Sequence, residues 1–311
     1  MAIIAAPGYP QYSGSIISPK FSLELLELFY CTTVYGDITN REYEGDLKKC
    51  GDQLTFFREP EVRVRDYQKN GRLESDTLSF EPVTMVIDRA KYVNIKFDQI
   101  DEQQICNFPA IKSAFLKRAA YQMGVSVDQA ILPSMFADAD VANQGNAAGV
   151  VSGAYSLGTT GAPVTVDATN VLSVLTDLHS TLNEQCIPIS DRFIVVPPQF
   201  ENVLMNSDLR AAYFSGDNKS TYLNGKVANT ICNFDIYISN FVPYVFDAGV
   251  GANVFQIVAG HRSATAFAAT LEKTRIIETA ESFDRYYQAL MVYGYKVLQP
   301  KALASLYARI S

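Results

Sequence analysis

Histidine is nearly absent from this chain: His179 and His261 are the only two in 311 residues. Chemistry that leans on imidazole, as base, nucleophile or metal ligand, therefore has little to work with. His179 falls inside a predicted helix and reads as a surface or packing residue. His261, in Gly260-His261-Arg262, reads as a turn residue between two strands. No HExxH, GxSxG or Walker P-loop occurs. Gly249-Val250-Gly251 lacks the third glycine of a dinucleotide fingerprint, and Asp138, Asp140 and Asn143 lack the glycine and distal glutamate of a calcium loop. No catalytic or metal residue is assigned, and no cofactor is expected. Five scattered cysteines without a CxxC pair point to neither a disulfide framework nor a zinc site, and are read as small buried residues. No apolar run approaches the roughly 18 residues a membrane span needs, and the first charge is Lys20, so neither a membrane partner nor a signal peptide is expected. A basic excess is missing too. The net charge of −7 argues against a dedicated nucleic-acid binder, and no Lys or Arg lies between Arg118 and Arg192. That stretch would repel phosphate.

What is present is a folding composition, 48% hydrophobic with 19% charged. Residues 1–20 are uncharged apart from Lys20 and rich in Gly, Pro, Ser and Tyr, as expected of an extended arm. A helix is predicted from Ser22 with Gly36 as its stop. Residues 54–98 read as a β-rich insertion, with Asn70-Gly71 the strongest hairpin signal. A type I′ turn there sets Lys69 opposite Arg72, Tyr67 opposite Glu74 and Arg65 opposite Asp76. Farther out Val93, Ile95 and Phe97 alternate with polar residues, giving one buried face.

A helix follows from about 108 to 137, with Asn107 as cap, Pro109 in its first turn and Gly124 as a weak point. Residues 143–168 are small and nearly uncharged, a loop or irregular sheet. Val171, Val174, Leu175, Leu178 and Leu182 fit a helix, Arg192–Val196 a buried strand, and Pro197-Pro198 the start of another helix. Strands are predicted at 234–238, 254–259, 264–278 and 287–298. Alternating elements in 170–260 predict an α/β unit with α+β flanks.

The hairpin carries the functional reading. Over 58–76 it holds five basic residues (Arg58, Arg63, Arg65, Lys69, Arg72) and five acidic ones (Glu59, Glu61, Asp66, Glu74, Asp76). An isolated two-stranded ribbon is marginal in water, and polarity on both faces leaves little to bury against its own domain. Balanced charge suits another protein surface better than phosphate. A solvated hairpin is the plain alternative.

The order of these elements resembles the Hong Kong 97-like capsid fold of tailed-bacteriophage major capsid (coat) proteins. The local text that carries it is Phe193-Ile-Val-Val-Pro-Pro-Gln-Phe-Glu, Phe234-Asp-Ile-Tyr-Ile-Ser-Asn240, Ala259-Gly-His-Arg-Ser-Ala-Thr-Ala-Phe267 and Tyr293-Gly-Tyr-Lys-Val297. The resemblance implies an α+β chain divided into an N-terminal arm and short helix (1–53), an extended E-loop hairpin (54–98), a peripheral domain with spine helix (99–144), an α/β axial domain (145–258) and strands returning to the peripheral domain (259–311). It also implies self-assembly into hexamers and pentamers of an icosahedral head enclosing double-stranded DNA, and residence in the virion after assembly in the host cytoplasm. Arg63, Arg65, Tyr67, Lys69, Arg72, Glu74 and Asp76 are then the expected contacts to a neighbouring subunit, and Lys112, Lys117 and Arg118 the expected inward, DNA-facing group. A separate scaffolding protein, a portal and a decoration protein are the other expected partners, because no large scaffolding segment is recognised in the chain. An encapsulin-like compartment, or a ligand-binding or enzymatic α/β domain, is the alternative use.

Overall fold

The computed structural model describes residues 31, 33–42, 53–58, 60, 62–67, 69–72, 75–77, 80–104, 108–207, 222–223, 226–227, 230–278 and 283–311. The expected arm, the helix from Ser22 and the Asn107 cap lie outside them. The described elements begin with helix α1 (Tyr35–Ile38), strands β1 (Gln53–Arg58), β2 (Glu81–Val86) and β3 (Arg89–Asp98), and helices α2 (Gln99–Gln104) and α3 (Phe108–Ala137). Strand β4 (Val164–Val166), helix α4 (Val171–Glu184), strand β5 (Arg192–Val196) and helix α5 (Pro198–Met205) follow. The rest is strand: β6 (Tyr222–Leu223), β7 (Lys226–Val227), β8 (Thr230–Ile231), β9 (Phe234–Ile238), β10 (Tyr244–Asp247), β11 (Ala252–His261), β12 (Thr265–Glu278), β13 (Asp284–Val297) and β14 (Leu303–Ile310).

Two sheets organise these pieces. A seven-stranded mixed sheet has the order β4-β14-β11-β5-β9-β8, with β10 also paired to β11. The long antiparallel sheet is β12-β13-β3. β5 is buried at every position, as its apolar run requires, and it pairs in parallel with β9 after a crossover through α5. Helix α4 buries the five apolar positions its 3.6-residue period picks out. One strand departs from expectation. β14 does not join β12 and β13; it inserts between β4 and β11 in the seven-stranded sheet, and six of its eight residues are buried. The returning block 259–311 is thus split between the two sheets.

Helix α3 is about 45 Å long at the usual rise per residue, and it touches both sheets. Near its start Phe115 packs on Phe97 of β3; farther on Val127, Ile131, Leu132 and Met135 enter the main core. Gly124 does not break it. A Cβ there would sit 3.3 Å from Thr33 Cγ2, so glycine admits the segment before α1 to close range. Nor does Gly36 stop a helix, since it lies inside α1. Pro133 removes one N–H from the ladder, and Tyr295 Oη donates to the neighbouring Ala130 carbonyl at 2.7 Å.

Two buried ionisable residues fasten these layers. Asp128, fully buried on α3, accepts from Val34 N (3.0 Å) and Tyr35 N (2.8 Å), tying the α1 segment to the helix. Burial pushes its pKa up to about 6, against the opposing pull of those two N–H groups. Arg192 is 1% exposed and has no carboxylate partner among the described residues. Its guanidinium donates instead to the carbonyls of Pro188 (2.8 Å), Ile187 (2.6 Å) and His179 (3.4 Å) and to Asn183 Oδ1 (2.8 Å). These acceptors cluster at the C-terminal end of α4, where the helix dipole favours a cation. Burial lowers the Arg192 pKa, and both that burial and the nearby cation hold His179 below its usual value.

The cysteines depart from the buried reading: Cys31 and Cys186 are exposed. Cys186 (φ 58) follows α4 in the left-handed region. Cys232 and Asn233, at φ 50 and 62, are the two-residue link between β8 and β9, with both residues left-handed as a type I′ turn demands.

Replacing Arg192 with Leu removes the donor to the Pro188 and Ile187 carbonyls, Asn183 Oδ1 and His179 Nδ1 (3.1 Å) and should cost about 3 kcal/mol or more, read by circular dichroism melting because the chain has no tryptophan. A loss under about 1 kcal/mol would mean the carbonyls find other donors. For Asp128 the folded pKa lies above the unfolded one, so its contribution is fully present below pH 3.8 and is lost as pH rises through about 6. Wild type should therefore gain stability relative to Asp128→Asn on going from pH 7 to pH 4.5, by about 2 kcal/mol. A constant difference across that range would refute the assignment.

Candidate assembly interface

The hairpin is built on a small platform. Met85 of β2 is buried against Ala266 and Ala268 of β12, with Leu54, Phe56, Ile87 and Leu298 around it. Small residues there let the stem lie close to the long sheet. The approach is tightest at Gly294 of β13, where a Cβ would sit 2.5 Å from the Val86 carbonyl oxygen and 3.0 Å from Ile87 Cα. Arg89 then stacks over the Tyr295 ring at 4.2 Å, and Arg58 Nη2 donates to the Leu298 carbonyl at 3.0 Å. Beyond the platform the stem is a ladder from Gln53↔Val86 to Arg58↔Glu81.

Past Arg58 no strand pairing occurs among the described residues up to Phe80. The turn falls on Lys69-Asn70 with Asn70 at φ 65, one residue before the expected Asn70-Gly71 centre. That position agrees with the stem, whose register continued outward sets Arg63, not Arg65, across from Asp76. Extended outward, the stem register differs from the expected one by two residues, and no ladder among the described residues fixes either at the tip. Arg65 nonetheless bonds Asp76, Nη2 to Oδ1 at 2.6 Å, as a diagonal pair. A two-residue shift keeps every side chain on its face, so the ion pair survives the error. Val62, Val64, Tyr67, Lys69 and Arg72 all project into solvent, Val64 at 96% exposure. Arg63 is exposed as well. Glu74 lies outside the described residues.

The basic residues of α3 do not form one face. At 100° per residue Lys112, Lys117 and Arg118 point in three directions. Lys112 is half-buried with its ammonium 4.6 Å over the Tyr287 ring, while Lys117 and Arg118 are exposed. Tyr287 Oη donates to Glu102 (3.1 Å), and Arg285 bridges Glu102 (3.0 Å) and Glu278 (2.8 Å). Asp284 is buried and paired with Lys96 at 2.7 Å. The pair raises the Lys96 pKa, chiefly through that hydrogen bond.

His261 accepts from Ser263 N and shares a 2.8 Å bond with Ser263 Oγ, capping a short 3-10 turn. Among the described residues no group of His, Cys, Asp and Glu has the arrangement of a metal site. No described helix is long and apolar enough to cross a membrane.

Three residues that shape this surface were silent in the sequence reading. Asp128 left a trace, a carboxylate set among Val125, Val127 and Ile131 on one helix. Arg192 opens the strand expected to be buried, but the pattern did not show which acceptors its guanidinium would meet. Gly294 had no readable signal, because its role depends on what crosses over it.

Comparison with curated proteins returns no match. Among solved structures, a chain of Mycobacterium phage Che8 superposes with a TM-score of 0.74 at 24% identity, over 94% of this chain and 98% of that one. The capsid structure of cyanophage P-SCSP1u gives 0.69 at 17% identity, over 95% and 94%. The capsid of Ralstonia phage GP4 gives 0.63 at 15%, over 99% of each chain. These are likenesses of fold, and the fold is the Hong Kong 97-like one. The family model described as phage capsid protein matches residues 81–306, from the second hairpin strand into the last strand of the large sheet. With most of its length matched, the chain belongs to the phage capsid protein family, and its role is structural.

Proposed function

We propose that the chain forms the hexamers and pentamers of an icosahedral phage head around double-stranded DNA, with the 62–77 hairpin tip lying on an adjacent subunit. The observation that carries this reading is the tip itself. Val62, Val64 and Tyr67 are exposed beside unlaced backbone, and its own chain offers them no cover. Such a segment is costly alone and useful in a ring, where a projecting element on one subunit meets a different surface on the next. Arg63, Arg65, Tyr67, Lys69, Arg72, Glu74 and Asp76 supply that contact. Each exposed charge pair contributes only about 0–1 kcal/mol, so the contact sets orientation and gains strength by repetition around the ring.

The division of labour follows the two sheets. The long sheet with α3 supports the hairpin as the peripheral domain, and the seven-stranded sheet with α4 and α5 forms the axial domain. Lys117 and Arg118 face packaged DNA and screen it weakly without sequence preference; Lys112, held over Tyr287, contributes less. A separate scaffolding protein, a portal and a decoration protein complete the particle, which is assembled in the host cytoplasm. The chain itself carries no catalysis. An encapsulin-like compartment would use the same contacts, and co-purifying enzyme rather than nucleic acid would mark it.

Two variants test the hairpin. Changing Arg63, Arg65 and Arg72 together to Glu should leave the monomer's circular dichroism intact and cut particle yield at least tenfold by electron microscopy. Normal particles would return the hairpin to a merely solvated role. Gly294→Ala should also reduce assembly, since the Val86 carbonyl must retreat and re-aim the hairpin, at a monomer cost of about 1–3 kcal/mol. Particles at wild-type yield would show that hairpin angle is not critical.

A further inference from the structure

Resting on the shell reading, we propose that the hairpin tip of one copy docks on a preorganised turn of another, the knob formed by Val150-Val151, together with the exposed Ile189 on the loop after α4. Val151 is 82% exposed, and Val150 and Ile189 are more than half exposed. Adjacent bare valines normally mark a floppy loop. Here the turn is fixed from several sides. Glu184, at the end of α4, accepts from Val151 N (2.8 Å) and Ser152 N (3.2 Å). Gly149 N donates to the Ala142 carbonyl at 2.8 Å, and Gly153 N to the Gly149 carbonyl at 3.0 Å.

Gly149 itself is at φ 105, and a Cβ on it would sit 2.6 Å from Ser152 Oγ and 2.8 Å from Glu184 Oε2. The bonds from Ser152 and Val151 hold the Glu184 carboxyl below its usual range. A second support lies behind α4, where Gln185 Nε2 donates to Asn143 Oδ1 (3.1 Å), and Asn143 Nδ2 donates to the Lys301 and Leu303 carbonyls at 2.8 Å each. An apolar knob held this firmly loses little freedom when covered, as a binding anchor requires.

The occupant follows from charge and from what else is bare. The knob sits in the stretch without Lys or Arg, with Asp138 exposed ahead of the 3-10 turn that carries Ala142 and with Asp191, two residues after Ile189, exposed and 4.0 Å from Arg262. A fitting partner brings apolar side chains together with unpaired cations. The hairpin tip has both: Val62, Val64 and Tyr67 alongside Arg63, Lys69 and Arg72, which make no ion pair among the described residues. Within one chain both surfaces are bare, so neither covers the other, and the match is between copies.

Photo-crosslinking tests this on the full chain. Val151→p-benzoylphenylalanine copies, isotopically heavy, are co-assembled as a minor share with light wild-type chain, irradiated and mapped by mass spectrometry; Ile189 is substituted in the same way as the second position. Heavy-to-light adducts within 60–77 are the expected result. Adducts on any other segment, on another protein, or none from particles that contain the heavy copies would overturn the docking proposal while leaving the shell intact. A charge swap covers the case of excluded copies. Arg72→Glu and Asp191→Arg should each lower particle yield at least tenfold and together restore it; no rescue would overturn the proposal. Absence of particles from wild-type chain in every condition would instead overturn the shell reading.

Discussion

Where β2 turns into β3, the backbone crosses β13 so closely that only a hydrogen fits between them at Gly294. The rest of the hairpin's geometry depends on that approach. With Ala266 and Ala268 beneath Met85, the stem rests flat on the long sheet, and the ladder from Gln53 to Arg58 leaves the domain at an angle set by packing. Backbone-to-backbone contact of this kind cannot be relaxed by a rotamer change. It converts a flexible two-stranded ribbon into an element aimed from a rigid root.

The same economy appears elsewhere in the molecule. Polar groups that could have been paired with opposite charges are satisfied instead by backbone. Arg192 takes carbonyls within and just after the last turns of α4, and Asp128 takes the N–H groups that α1 leaves open. The Asp128 bonds join segments more than ninety residues apart in sequence, while the Arg192 bonds close a local corner between α4 and β5. The exposed surface, by contrast, keeps Arg63, Lys69 and Arg72 at the hairpin tip without ion pairs among the described residues, and leaves valines bare there and at the turn after Gly149. Rigid inside and unsatisfied outside is a sensible division for a family whose members build capsids.

Much of the element order was legible. Periodicity placed α3 and α4, and apolar run length placed β5 and β9, because burial on one stripe or on both faces leaves a direct mark on residue choice. Turn chemistry was less secure. Asn70-Gly71 has the stronger hairpin text, yet the turn sits on Lys69-Asn70 in keeping with the stem ladder, and the doubly left-handed turn occurs at Cys232-Asn233. Local preference of well under a few kcal/mol yields to a register fixed by six laddered pairs and a buried Met85. β14 could not be assigned for a related reason: an apolar strand fits either sheet, and only the partners left open by β4 and β11 choose between them.

For the hairpin, the sequence by itself determined that it would be long, charged on both faces and poor in material to bury, and it identified Arg65 and Asp76 as partners. Those follow from composition and from the two-residue period, which survives a register shift of two. The tertiary structure alone decided the shift, the tip's lack of a ladder, the scatter of Lys112, Lys117 and Arg118 around α3, and the glycine that lets the root lie down. Each of these depends on a neighbour distant in sequence, and no local pattern encodes where a distant backbone will pass.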